Sequence, residues 1–452
     1  MVVMAIILLI GASSVQASDS LFASPITYDA GHTPSFVHAN DINADGVIDL
    51  LVTDLFMDKV LVFVGNGDGS FEFLTDYSVG VDPYAVLAED FDGDGDNDLA
   101  IANCGSDNVA VMRNRGDGTF EQAQFFGVGN GPSSLISDDF DADGDADLAT
   151  ANNGSGDITV LMNNGNALFL SVTEYSTGAG TATLCSADLD LDGDRDIAVG
   201  NAGVNEVQIM LNDGDGGFSP SVAYGVGAYS WCVEAADLNG DNVEDLITAN
   251  NLSDDISTLL NNGDGSFQAP AYYEVGDAPF SVIASDFDGD GFNDLAVANL
   301  DSDQLSILLN NGDGTFQSAT QIPAEDGAFF VTSGDFDGDG DNDLALVAVW
   351  SGTLSIYRNR TVSIPCCDNR GDFDHSGDPE PDIADLAYMV SYMFQEGTEP
   401  PCDEPYLPDC PMNSFAETDI NGDSSCTPDI ADLIHLVQYM FQGGPPPVPC
   451  PE

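Results

Sequence analysis

An acidic nonapeptide of pattern D-x-[DN]-x-D-[GN]-x-x-D begins at Asp41, Asp90, Asp139, Asp188, Asp237, Asp286 and Asp335, each start 49 residues after the last. A period held through seven copies without insertion or deletion is the mark of an array of like supersecondary units. Each unit must bury its apolar face against its neighbours.

Within a unit every apolar run is short and lacks helical spacing, so the reading is all β. Phe280-Ser281-Val282-Ile283-Ala284 precedes the acidic loop, Asp294-Leu295-Ala296-Val297-Ala298-Asn299 follows it, and Leu305 to Leu309 makes a third run. Asn310-Asn311-Gly312-Asp313-Gly314 supplies the positive-φ residues of a tight hairpin, and a fourth strand is expected to start at Phe316. Four strands per unit, seven times, predicts a seven-bladed β-propeller over residues 18–360.

An open ring would leave strand edges unpaired, so the sequence should also say how it closes. The phenylalanine opening strand four recurs at Phe71, Phe120, Phe169, Phe218, Phe267 and Phe316, but Pro365 holds that place in the seventh unit. Counting back from Phe71 gives Phe22, and FASPITYDAG at 22–31 resembles FQAPAYYEVG at 267–276. A three-plus-one closure follows as an expectation, with residues 22–30 completing the last blade beside 354–357.

The chain carries 78 Asp and Glu against 7 Lys and Arg, a formal charge of −71, which repels phosphate backbones and anionic lipid. Nucleic acid is thereby excluded as a partner. The carboxylates are bunched, and bunched carboxylates need cations. Calcium takes six to eight oxygens, and side chains at loop positions one, three and five converge when residue six allows a sharp turn; a carbonyl at seven and a carboxylate at nine complete the shell. The candidate ligands are Asp41, Asn43, Asp45 and Asp49 in the first loop, and Asp90, Asp92, Asp94 and Asp98 in the second. Asp139, Asp141, Asp143 and Asp147 follow, then Asp188, Asp190, Asp192 and Asp196. The last three sets are Asp237, Asn239, Asp241 and Asp245; Asp286, Asp288, Asp290 and Asp294; and Asp335, Asp337, Asp339 and Asp343. Asn242 replaces the turn glycine of the fifth loop and tolerates the left-handed region, so that site should survive with weaker affinity. Magnesium prefers fewer protein ligands, and no Cys-x-x-Cys pair supports zinc.

The D-x-D-x-D-G-x-x-D loop followed by Leu or Ile (Leu50, Leu99, Leu148, Ile197, Leu246, Leu295, Leu344), together with the Asn-Gly-Asp-Gly-x-Phe turns, resembles the FG-GAP or VCBS-type repeats of integrin α-subunits and many secreted bacterial proteins. One turn departs, reading Asn164-Gly165-Asn166-Ala167-Leu168-Phe169. The resemblance covers about residues 21–360 and implies a calcium-stabilised propeller used in adhesion or ligand recognition, without fixing the ligand.

The flanks suggest export and attachment. Residues 1–17 read as a signal peptide, an apolar run ending in Val15-Gln16-Ala17, although no basic residue precedes it. The expected location is therefore secreted or at the cell surface. Six of nine cysteines (Cys366, Cys367, Cys402, Cys410, Cys426, Cys450) crowd the tail, which suggests disulfides there, while Cys104, Cys185 and Cys232 read as small apolar residues. After a linker at 361–371, residues 372–452 hold two loop-helix segments: Asp372, Asp374, Ser376 and Asp385 in one, Asp419, Asn421, Asp423 and Asp432 in the other. Each is followed by an amphipathic run. The pair resembles a dockerin type I module, which implies calcium ligation and docking to a cohesin-like partner, although the loops are longer than the standard and Ser424 replaces a glycine.

No catalytic constellation is legible. His32, His38, His375 and His435 are solitary, and the clustered carboxylates are already assigned to calcium. The reading is a binding or adhesion protein, with a polysaccharide-degrading hydrolase or lyase as the alternative. Tyr84, Tyr229, Trp231, Phe280 and Phe330 lie near the connections between strand four and the next strand one, where rings could stack on sugars or pack between blades.

Overall fold

A computed structural model describes residues 21–360, and these hold 28 strands in seven four-stranded antiparallel sheets, with no helix among the described residues. The signal peptide at 1–17, the linker, the dockerin-like module with its ligands and the tail cysteines lie outside the described residues.

Blade one is a meander of Pro34–Asn40, Asp49–Asp54, Lys59–Gly65 and Phe71–Ser78, and the next five blades repeat that order. The seventh sheet contains Ala328–Gly334, Asp343–Ala348 and Thr353–Tyr357, with Ile26–Asp29 on its outer edge. There Ile26 pairs with Ile356 and Asp29 with Thr353. Inner strands of consecutive blades touch all the way round, including blade seven against blade one.

Strand two is buried along its whole length in every blade. Its sequences, such as DLAIAN and DLAVAN, are continuous apolar runs because a neighbouring blade covers each of its faces. Strand four is largely exposed, as in the FEFLTDYS strand of blade one. Its start departs from expectation. Strand four begins at Phe71 and Phe218 in blades one and four, but in blade six Phe316 makes an isolated bridge to Asn310 and pairing resumes at Thr320. Blade five does the same between Phe267 and Ala271, where Pro270 has no N–H to give the ladder.

Each blade also has a bulge near the start of strand one, so that Tyr84, Trp231, Phe280 and Phe329 fall at the register break. A bulge re-aims its residue, and here it turns large rings toward one another around the axis. Phe280 lies 3.9 Å from Phe329, and Tyr84 of blade two reaches Phe329 of blade seven at 6.4 Å, past blade one. Cys104, Cys185 and Cys232 are free thiols; burial pushes that of Cys232 up to about 12.

Candidate metal centres

The meander puts the connections between strands one and two, and three and four, at one end of the ring, and all remaining connections at the other. All seven acidic loops therefore share one face. Their internal bonding is repeated closely. The position-one carboxylate accepts the N–H of residue six in every copy, at 2.8 Å for Gly46, 2.9 Å for Gly95, 3.0 Å for Gly144, 3.2 Å for Gly193, 2.8 Å for Asn242, 2.9 Å for Gly291 and 3.0 Å for Gly340. Residue six is left-handed throughout, and Asn242 adopts φ 63° where the other loops have glycine. The position-five carboxylate accepts the N–H of residue seven, for instance Asp94 from Asp96 at 3.0 Å and Asp290 from Phe292 at 2.9 Å. These bonds fold the acidic side chains inward before any cation is considered.

Carboxylate oxygens converge within 4.8 Å of one another in five loops. The sets are Asp90, Asp92 and Asp94; Asp286, Asp288 and Asp290; Asp335, Asp337 and Asp339; and, with position nine replacing five, Asp139, Asp141 and Asp147, and Asp188, Asp190 and Asp196. Loops one and five have Asn43 and Asn239 at position three, whose amide oxygens accept the Asp45 and Asp241 N–H groups at 2.9 Å.

Position nine has a second role that spacing alone did not disclose. Asp147 is fully buried; its Oδ2 accepts the Phe140 N–H at 3.1 Å and its Oδ1 the Asn163 N–H at 2.6 Å. It ties the start of its loop to the end of strand three, and Asp49, Asp196, Asp245, Asp294 and Asp343 do the same. Burial raises these carboxyls, Asp147 to about 7 and Asp49 to about 6, against the backbone bonds that lower them. Nearby aspartates add to the rise.

The residues fit a hard cation. Asp92 Oδ1, Asp98 Oδ2, Asp188 Oδ1, Asp190 Oδ1 and Asp337 Oδ1 are buried oxygens without a hydrogen-bond donor at loop positions one, three or nine, and Asp341 Oδ2 is another at position seven. Buried carboxylate oxygens are costly unless a proton or a metal meets them, and an all-oxygen set of this kind suits calcium or another hard divalent ion.

Each loop also rests on the next blade. The side-chain amide of Asn114 donates to the Ile42 carbonyl in the preceding blade's loop at 2.7 Å, and Asn163, Asn212, Asn261, Asn310 and Asn359 do the same to Phe91, Phe140, Leu189, Leu238 and Phe287. Phenylalanines of strand four seal the seam: Phe169 meets Phe91, Phe218 meets Phe140 and Phe71 meets Phe336, all edge-on at 5.4 to 5.6 Å. The asparagines were missed at the sequence level. They recur at the 49-residue period, but their partners lie one unit away.

A family model described as an FG-GAP-like repeat matches residues 41–100, 90–150, 139–199, 188–248, 237–297 and 286–346. Every match runs from one acidic loop through the next, so six matches take in all seven loops. No curated protein matches the chain. Among solved structures, the crystal structure of BBS1N in complex with ARL6DN aligns at TM-score 0.55 and 15% identity, over 76% of this chain and 98% of that one. A catalytically inactive virginiamycin B lyase from Staphylococcus aureus with quinupristin aligns at TM-score 0.51 and 13% identity, over 74% and 99%. At such identities the likeness is one of fold. The repeat matches, taken with the loop geometry, place this chain in the FG-GAP-like repeat family.

Proposed function

We propose that the chain is an exported propeller whose acidic loops hold structural calcium and whose opposite face binds a ligand, with a neutral glycan as the ligand class, without catalysis. In this reading the tail attaches the ring to a protein partner of cohesin type. The observation that carries it is the division of labour between the two ends. Acidic loops take up one face, where Leu170 and Leu191 are exposed as well, whereas the aromatic rings exposed on turns lie at the other: Phe56 and Trp350, exposed by 71% and 56%, stand with Leu252 on turns between strands two and three.

Next to the Leu252 turn, whose Asn251 N–H donates to the Tyr229 carbonyl at 3.0 Å, Tyr229 lies parallel to Trp231, with centroids 5.5 Å apart and planes 9° off parallel. Trp231 in turn meets the edge of Phe280 at 5.2 Å, which braces it. Tyr229 is partly exposed and holds φ 63°, a left-handed conformation that bulky side chains rarely adopt. The conformation belongs to the turn, since Asp82, Gly131, Gly180, Ala278 and Gly327 hold positive φ at the same place in other blades; what sets Tyr229 apart is an exposed ring stacked on a braced one, which suits a pyranose face. A chain at −71 formal charge disfavours anionic sugars.

Phe280 and Phe330 are committed to other rings, Phe330 to Phe36 at 3.8 Å, so Tyr229 and Trp231 are the residues to change. A glycan array followed by calorimetry on wild type, Tyr229→Ala and Trp231→Ala, with a reducing-sugar assay in parallel, tests the proposal. Binding lost in both variants without turnover supports it. Product formation by wild type would replace it with the hydrolase or lyase reading, and retained binding in both variants would move the site elsewhere.

A further inference from the structure

The seven loops are not equivalent, and the difference lies in two of the seven cationic side chains that this acidic chain possesses. At the end of strand three, one position in each blade overlooks the acidic loop. It holds Val64, Met162, Leu211, Leu260 and Leu309 in five blades, but Arg113 and Arg358 in blades two and seven. Arg113 Nη1 stands 3.5 Å from Asp92 Oδ2, and its Nη2 donates to the Asn166 carbonyl in the next blade at 2.8 Å. Arg358 Nη1 stands 3.9 Å from Asp337 Oδ2, and its methylenes press on Gly69 of blade one so closely that a Cβ there would collide with them.

In both loops the guanidinium faces one oxygen of the position-three carboxylate, and the other oxygen, Asp92 Oδ1 or Asp337 Oδ1, is buried without a donor. A cation can therefore take Oδ1 while the arginine keeps Oδ2. The two positive charges then repel. Loop seven has a further peculiarity, because Gly65 occupies the place where later blades carry the seam asparagine. The Phe336 carbonyl accepts the Gly69 N–H at 3.0 Å, a bond that Phe91 and Leu189 also receive from Ala167 and Gly265, but it gets no side-chain amide in addition.

Resting on the calcium reading above, we infer that Arg113 and Arg358 are built-in counter-cations that hold loops two and seven and their seams together when metal is absent, and weaken calcium binding there when it is present. Those two loops fill after loops three, four and six, which carry the same four aspartates without an arginine, and the seam between blades seven and one keeps its order at low calcium. The geometry gives the arginine two opposite effects. Without metal it neutralises one of four crowded carboxylates and tethers the next blade. With metal, a unit charge about 6 Å from a divalent ion in a water-like medium costs about tenfold in affinity. A plain structural tether would act with one sign in both states.

The test uses the full chain, calcium alone as the ligand, and a competing chelator dye to read site affinities, with thermal melts in calcium and in excess chelator. Arg113→Gln and Arg358→Gln should each tighten one weak site about tenfold and lower the melting temperature in chelator, while Arg113→Lys and Arg358→Lys stay near wild type. Met162→Arg, which adds a guanidinium beside Asp141 of loop three, should weaken one strong site about tenfold, and this reads the same effect should a glutamine variant not fold. Unchanged affinities in the glutamine variants and in Met162→Arg, or a loss of stability of equal size with and without calcium, would overturn the inference. A wild-type chain that neither binds calcium nor melts differently in chelator would defeat the calcium reading itself, and that result is visible before any variant is made.

Discussion

Replacing Asn310 by alanine isolates the seam contact on which the loops rest. Asn310 is 3% exposed; its amide donates to Leu238 O in the preceding blade's loop at 2.9 Å and to Asn293 O in its own at 2.8 Å, and its Oδ1 accepts the Gly312 N–H at 2.9 Å. Three bonds at about 1 kcal/mol net each give a loss of about 3 kcal/mol, rising toward about 5 kcal/mol if the Leu238 carbonyl stays buried without a donor. With a denaturant slope of about 3 kcal/mol per molar urea, the midpoint should fall by about 1 M. Urea unfolding followed by tyrosine and tryptophan fluorescence at fixed calcium measures it. Asn310→Asp serves as the sharper control, since it keeps the shape and the acceptor but has no N–H to donate. A loss below about 0.5 kcal/mol in Asn310→Ala, or an aspartate variant as stable as wild type, would refute the reasoning that the amide bridges two blades.

Two further predictions concern other parts of the ring. Phe22 is 2% exposed, bridges to Asn359 and meets Phe287 edge-on at 5.7 Å, so Phe22→Ala should cost about 3–5 kcal/mol in the same urea experiment, whereas an unchanged midpoint would mean that the early segment does not help hold blade seven. Burial lowers the His38 imidazole from 6.5 to about 4, so the unfolded chain takes up a proton that the folded chain refuses, and the stability present above pH 6.5 is lost as pH falls toward 4. His38→Leu, matching Leu87 in the next blade, should flatten that part of the profile relative to wild type in melts from pH 4 to pH 8.

The repeat made the seven blades legible because each 49-residue unit carries its own strand pattern, loop and hairpin signal, and local chemistry sets all three. What escaped lies between units. Asn114, Asn163 and their counterparts read as ordinary turn residues until the ring brings the preceding loop within reach. Position-nine aspartates read as ligands, but Asp147 and its counterparts are also buried clamps on two backbone N–H groups, which depends on where strand three ends. Strand four starts late in several blades because its opening phenylalanine is anchored by packing and a single bridge, not by a continuous ladder. Rings grouped at the sequence level by position separated once the bulges had turned them: Phe280 against Phe329, Phe330 against Phe36, and Tyr229 with Trp231 toward the open face.

If the acidic loops are metal sites, filling them stabilises the ring. Equilibrium dialysis against buffered calcium, followed by elemental analysis of the protein and a melt of the same sample with and without excess chelator, tests it most directly. Several calcium ions per chain and a melting temperature that drops sharply in chelator are the predicted outcome. A chain that retains no calcium and melts identically in both buffers would contradict it.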